Sequence, residues 1–189
     1  MRAVWLKEFG PPEALVPGKA PDPVAGAGQA VVAVSFAGIT FVETQVRAGH
    51  SPFPLPPGAL PMIPGNGVSG VIAATGAGVD ARLAGRRVVS GTGGRGGYAE
   101  RVAVDAAGLV EVPDGVALDQ AAALLADGRT AIALARTARI AAGERVLVLA
   151  AAGGVAACLC SSPVPLGPGC LPPRADLPSC GLPVSLAPR

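Results

Sequence analysis

"RVLVLAAAGGVAACLCSSPVPLGPGC", residues 145–170, decides how the chain is read. Arg145 leads into an apolar run from Val146 to Leu149, and three alanines and the pair Gly153 and Gly154 follow. A short buried strand entering a turn of small residues is how a doubly wound α/β domain begins. Glycines there allow a tight turn and a close approach of backbone to pyrophosphate. The helix that follows would aim its N-terminal N–H groups at the anion. Beyond Val155 the chain passes instead into cysteine, serine and proline, which do not sustain such a helix.

That break divides the whole chain. No cysteine precedes position 158; Cys158, Cys160, Cys170 and Cys180 then fall close together. Prolines crowd the same segment, so residues 156–189 read as an irregular, disordered Cys/Pro-rich tail. The cysteine gaps contain no Cys-x-x-Cys pair, so the zinc signal is weak. The N-terminus "MRAVWLKEFG" has no apolar signal core, and a cytoplasmic location is expected, where disulfides are rare.

Composition narrows the class. Half of the residues are hydrophobic and 15% are charged, which excludes disorder throughout. The net charge of +2 comes from scattered basic residues with 3% aromatics, so no nucleic-acid surface is expected. Arg82, Arg86 and Arg87 form the one basic cluster and read as a solvated loop. The uncharged stretch 146–173 is broken by glycines, serines and prolines, so no membrane span is expected either.

Upstream, residues 1–115 read as β. The stretches 30–39, 67–75, 86–91, 98–104 and 108–113 are short, β-branched and bounded by Gly, Pro and Asp. Many short strands of this kind suggest a barrel-like domain. "SPFPLPPGALPMIPG", residues 51–65, is too rich in proline for regular structure, and His50 beside it reads as exposed. Residues 118–140 are rich in Ala and Leu and read as helix, with Asp114 or Asp119 as the cap and Gly128 as a break between two helices.

Several motifs in order carry a resemblance: "AGITFVETQVRAG" (37–49), "MIPGNGVSGVIAATGAGV" (62–79), "GGYAERVAV" (96–104), "VPDGVALDQAAALLADGRTA" (112–131) and "AAGERVLVLAAAGGV" (141–155). Together they resemble the medium-chain dehydrogenase/reductase superfamily, and within it the zinc-free quinone oxidoreductase branch. The resemblance implies a GroES-like β domain over residues 1–117 and the start of a truncated Rossmann domain over 118–155. It implies hydride transfer from NADPH to a quinone or an α,β-unsaturated carbonyl, in a family that is usually homodimeric. The dimer-forming part is expected to be missing here.

Zinc-dependent members carry a cysteine just after the "AG" stretch and a His-Glu pair after the loop's Pro-Gly. Here those places hold Ile39-Thr40-Phe41 and Gly65-Asn66-Gly67. Thr40 and Asn66 are poor zinc ligands, so no metal is expected. The resemblance assigns no catalytic protein acid, because water can supply the proton. It places Thr40, Gln45, Arg47 and Ser51 along the substrate cleft. Thr130 would lie against the nicotinamide, and Ala152, Gly153, Gly154 and Val155 would form the phosphate turn.

The family would continue past Val155 into a phosphate-facing helix. With suitable codons for residues 156–167, one added G before codon 156 rereads that segment as Gly-Ser-Leu-Pro-Val-Gln-Leu-Ala-Arg-Ala-Ala-Gly, close to the missing helix. One base lost at the Val155/Ala156 junction is therefore the expected origin of the tail, and impaired NADPH binding its consequence.

Overall fold

The structure, a computed structural model, describes residues 1–141, 144, 146–161 and 184–186. Two compact units divide the chain, Met1–Leu125 and Ala126–Arg189.

Unit one is built on an antiparallel five-stranded sheet. Its strands are β3 (Gln29–Gly38), β4 (Gly67–Thr75), β5 (Arg87–Gly91), β6 (Arg101–Asp105) and β7 (Val110–Glu111), with β1 (Arg2–Leu6) and β2 (Leu15–Lys19) forming a separate ribbon. The sheet order is β6-β3-β4-β5-β7, so β6 and β7 are its edges. The hydrogen-bonded ladder is open, and the barrel closure expected from strand number is not made. A bridge between Leu6 and Met62 ties β1 to the proline-rich loop instead.

The period-two alternation of strands decides what each face does. Val32, Val68, Ile72, Val88, Val102 and Val104 point into one core cluster. Val89, the neighbour of Val88, points the other way and packs with Val112 and Ala121. Ala121 belongs to α2 (Leu118–Ala138), so the second face of the sheet is covered by the first turns of that helix. Fully buried Ser69 lies on this face, and its hydroxyl donates to the Leu118 carbonyl at 2.6 Å. The bond satisfies the buried Ser69 hydroxyl and ties it to the first residue of the helix.

Three expectations for this region change. The helix runs unbroken through Gly128, because flanking Ala and Leu outweigh the roughly 1 kcal/mol that one glycine costs. Asp119 stands inside the first turn, where its carboxylate accepts from the Gln120 N–H at 2.9 Å, and is not the residue before the helix. Gln120 reaches back to accept from the Ala117 N–H at 3.2 Å, one half of a capping box. A short helix α1 (Phe41–Arg47) stands in the segment read as β.

Within the second unit, β8 (Val146–Val148) leads into α3 (Gly154–Ser161). The helix crosses the Val155/Ala156 junction, contrary to the expectation that this composition could not form one. Its residues up to Ser161 contain no proline, and the breakers begin only at Pro163. β9 (Val184–Leu186) pairs with β8 antiparallel, so the described parts of 156–189 are regular. Cys170 and Cys180 lie outside the described residues.

Candidate functional site

Thr40, in extended conformation (φ −96°, ψ 159°), precedes the first turn of α1, and three residues later stands Glu43. The Thr40 N–H donates to Glu43 Oε2 at 2.6 Å and the Thr40 hydroxyl donates to the same oxygen at 2.9 Å. The other carboxylate oxygen, Oε1, accepts from the Asn66 N–H at 2.8 Å. Glu43 therefore joins the start of α1 to the segment leading into β4. At the far end Gly49, at φ 83°, stops the helix, and the Arg47 carbonyl accepts from the Gly10 N–H.

These contacts open a cleft of about 600 Å³. Its wall is largely apolar, from Leu6, Ile39, Val42, Phe53, Leu55 and Met62, with Thr40, Glu43, Arg47, Asn66, Arg95 and Tyr98 among its polar groups. Phe53 and Ile39 are 66% and 75% exposed, so the mouth presents apolar surface to solvent. A mostly apolar concavity with a few placed polar groups suits a small organic ligand.

Burial, and then the negative charge of Glu43, push the Tyr98 hydroxyl's pKa above its ordinary value of 10.0. It is thus kept as a neutral phenol, a hydrogen-bond donor in the cleft wall. Tyr98 is the single tyrosine, so phenolate absorbance reads it alone. Native protein should show no tyrosine ionisation near the ordinary value, whereas urea-unfolded chain should titrate there. The raised native pKa means the folded state keeps a proton that the unfolded state releases, so stability should fall as pH rises through 10.0. A native titration at the ordinary value would show that Glu43 and burial do not act on this group.

The structure brings three of the four expected cleft residues together. Thr40, Arg47 and Ser51 line it; Gln45 does not. Gln45 falls four residues after Phe41, also absent from the lining, on the helix face turned away, and its amide donates to Thr44 Oγ1 at 3.4 Å. Ser51 is present but occupied: its hydroxyl donates to the Phe53 carbonyl at 2.7 Å and accepts from the Phe53 N–H at 3.2 Å. Glu43, Asn66, Arg95 and Tyr98 were not assigned to the cleft from sequence. The Thr-x-x-Glu spacing was a legible capping signal for Glu43, and the resemblance had marked the place of Asn66; nothing local marked Arg95 and Tyr98, which arrive from distant segments.

In the second unit, Thr130 Oγ1 donates to the Ala126 carbonyl at 2.8 Å, one helical turn back. The Gly153 N–H donates to the Ala150 carbonyl at 2.8 Å, closing a turn over residues 150–153, and Gly154 and Val155 already belong to α3. A side chain crowds that helix start. A Cβ placed on Gly154 would clash with Asp127 Oδ2. A carboxylate therefore stands beside the helix N-terminus, where a pyrophosphate would need to approach.

Residues 26–114 match the alcohol dehydrogenase GroES-like domain. The quinone oxidoreductase of Pongo abelii is 38% identical over 163 residues, which are 85% of this chain and 48% of that protein. The chain belongs to the medium-chain dehydrogenase/reductase superfamily, in its quinone oxidoreductase branch. Among solved structures, the Escherichia coli quinone oxidoreductase complexed with NADPH superposes with a TM-score of 0.77 at 29% identity, over 85% of this chain and 48% of that one. The quinone oxidoreductase from Thermus thermophilus, solved alone and with NADPH, gives 0.72 at 34% identity over the same shares. This member of the superfamily spans about half the length of the curated relatives it matches. No helix among the described residues is long and apolar enough to cross a membrane.

Proposed function

We propose that the cleft is the acceptor seat of a zinc-independent, NADPH-dependent reductase of quinones or α,β-unsaturated carbonyls that works in the cytoplasm. The observation that carries the reading is the apolar cleft on the matched domain, with Thr40 and Asn66 at the places where zinc-dependent members hold metal ligands. A hydroxyl and an amide do not make a zinc site, and no step is routed through a metal. The apolar walls bind a planar acceptor and exclude water. The Asn66 side-chain amide, which has no hydrogen-bond partner among the described residues, offers a donor to its carbonyl oxygen, while the Tyr98 phenol is directed at Glu43. NADPH supplies hydride when bound, and catalysis is then a matter of holding donor and acceptor in reacting geometry.

The same reading holds residues 156–189 to be out of frame and this chain to be weakly active or inactive. Asp127 beside Gly154 supports it, as does the antiparallel partner of β8, where a dinucleotide fold needs parallel neighbours. Fluorescence titration should therefore show weak NADPH binding, and saturation at micromolar concentration or below would contradict it. The family activity is tested by NADPH absorbance decay against a panel of quinones and enones, with simple alcohols plus NADP as the control. Turnover of alcohols alone would sink the zinc-free reductase reading.

A further inference from the structure

Arg47 stands out among the polar groups of the cleft. Its Nε is shielded from solvent and has no hydrogen-bond partner among the described residues. A guanidinium is always charged, and a buried donor left unsatisfied costs about 1–3 kcal/mol, more when it belongs to a charged group. Glu43, one turn earlier on α1, is the natural partner at that spacing. It forms no ion pair with Arg47; both its oxygens are taken by the Thr40 and Asn66 groups. Arg95, which also lines the cleft, makes no ion pair among the described residues. Two cations and one committed carboxylate leave the cleft with a net charge of +1 inside apolar walls.

From this arrangement we infer that the cleft selects an apolar ligand carrying a carboxylate, paired with the Arg47 guanidinium. The planar fork of arginine matches the two oxygens of a carboxylate, and the low-dielectric surroundings strengthen the pair. The apolar walls would hold the rest of the molecule. The inference rests on the reading of this cleft as the acceptor seat and narrows the acceptor class to acidic compounds.

Calorimetric titration of the chain with trans-cinnamate, cinnamamide and a neutral naphthoquinone tests it. Cinnamate and cinnamamide share one body and differ in charge. Cinnamate should bind about ten-fold tighter or more, as expected for a charge-assisted pair. Arg47→Met should erase that preference, bringing cinnamate and cinnamamide to the same affinity as each other, and Arg47→Lys should keep part of it. Equal affinities in the unaltered chain, or a preference that survives in Arg47→Met, would overturn the inference. The comparison within the unaltered chain decides the matter even if a variant fails to fold. Naphthoquinone binding without a cinnamate preference would leave the acceptor seat standing and remove only the acid selectivity. Failure of all three ligands to bind would remove both.

Discussion

Restoring one base before codon 156, and letting translation run on, is expected to turn a chain with background NADPH consumption into a working reductase. The glycine turn would then lead into a phosphate-facing helix, and β8 would gain parallel neighbours that bury its faces. Turnover of a quinone or enone without added metal should reach a kcat on the order of 1 s⁻¹ or more, the usual range for enzymes. In that repaired chain Thr130→Trp should lower kcat more than it lowers stability. A nicotinamide displaced by about 1 Å can cost about 100-fold in rate, whereas the Thr130 hydroxyl at present only bonds back to its own helix. A gene whose reading frame proves continuous across this junction would contradict the account of the tail.

Gly65→Ala should be the most damaging single change in the first unit. Gly65 holds φ at 115°, a conformation that L side chains rarely adopt. A Cβ there would lie 2.5 Å from Gly97 Cα and 2.7 Å from the Tyr98 nitrogen. Those are backbone atoms of a bonded segment, anchored by the Tyr98 N–H to the Pro64 carbonyl at 2.9 Å, and cannot step aside cheaply. Strain and overpacking together should cost about 3 kcal/mol or more. Because Pro64, Asn66 and Tyr98 all line the cleft, ligand affinity should fall with stability. Urea denaturation read by circular dichroism measures the first and titration with a naphthoquinone the second. A midpoint unchanged from the parent would show that the two segments are not packed as described.

What the sequence disclosed follows the range of each interaction. The strands 67–75 and 86–91 were legible almost to the residue, because alternation of Val, Ile and small residues is written along the chain. β1 and β2 escaped separate notice: a ribbon of two strands carrying Gly18 and Pro17 has little alternation to read. α1 was hidden inside a β-like stretch although Thr40 and Glu43 spelled its cap. The cleft was legible in part. Thr40 and Arg47 came from one contiguous motif and Ser51 from the stretch just after it, whereas Arg95 and Tyr98 reach it through pairings that no local pattern encodes. The small residues after β8 do turn, up to Gly153, but α3 begins at Gly154, and the approach of Asp127, 27 residues earlier, is a tertiary fact. α3 was missed because the cysteines and the later prolines were judged together, while only the prolines break helices.

The claim on which the rest depends is that the cleft of the first unit is the acceptor seat. Amide chemical shifts of the isotope-labelled chain, recorded during titration with a naphthoquinone, test it most directly. The account predicts saturating shifts at Thr40, Glu43, Arg47, Asn66, Arg95 and Tyr98, the polar groups around the cleft. A spectrum that stays unchanged at those amides, or moves only at residues remote from them, would contradict it.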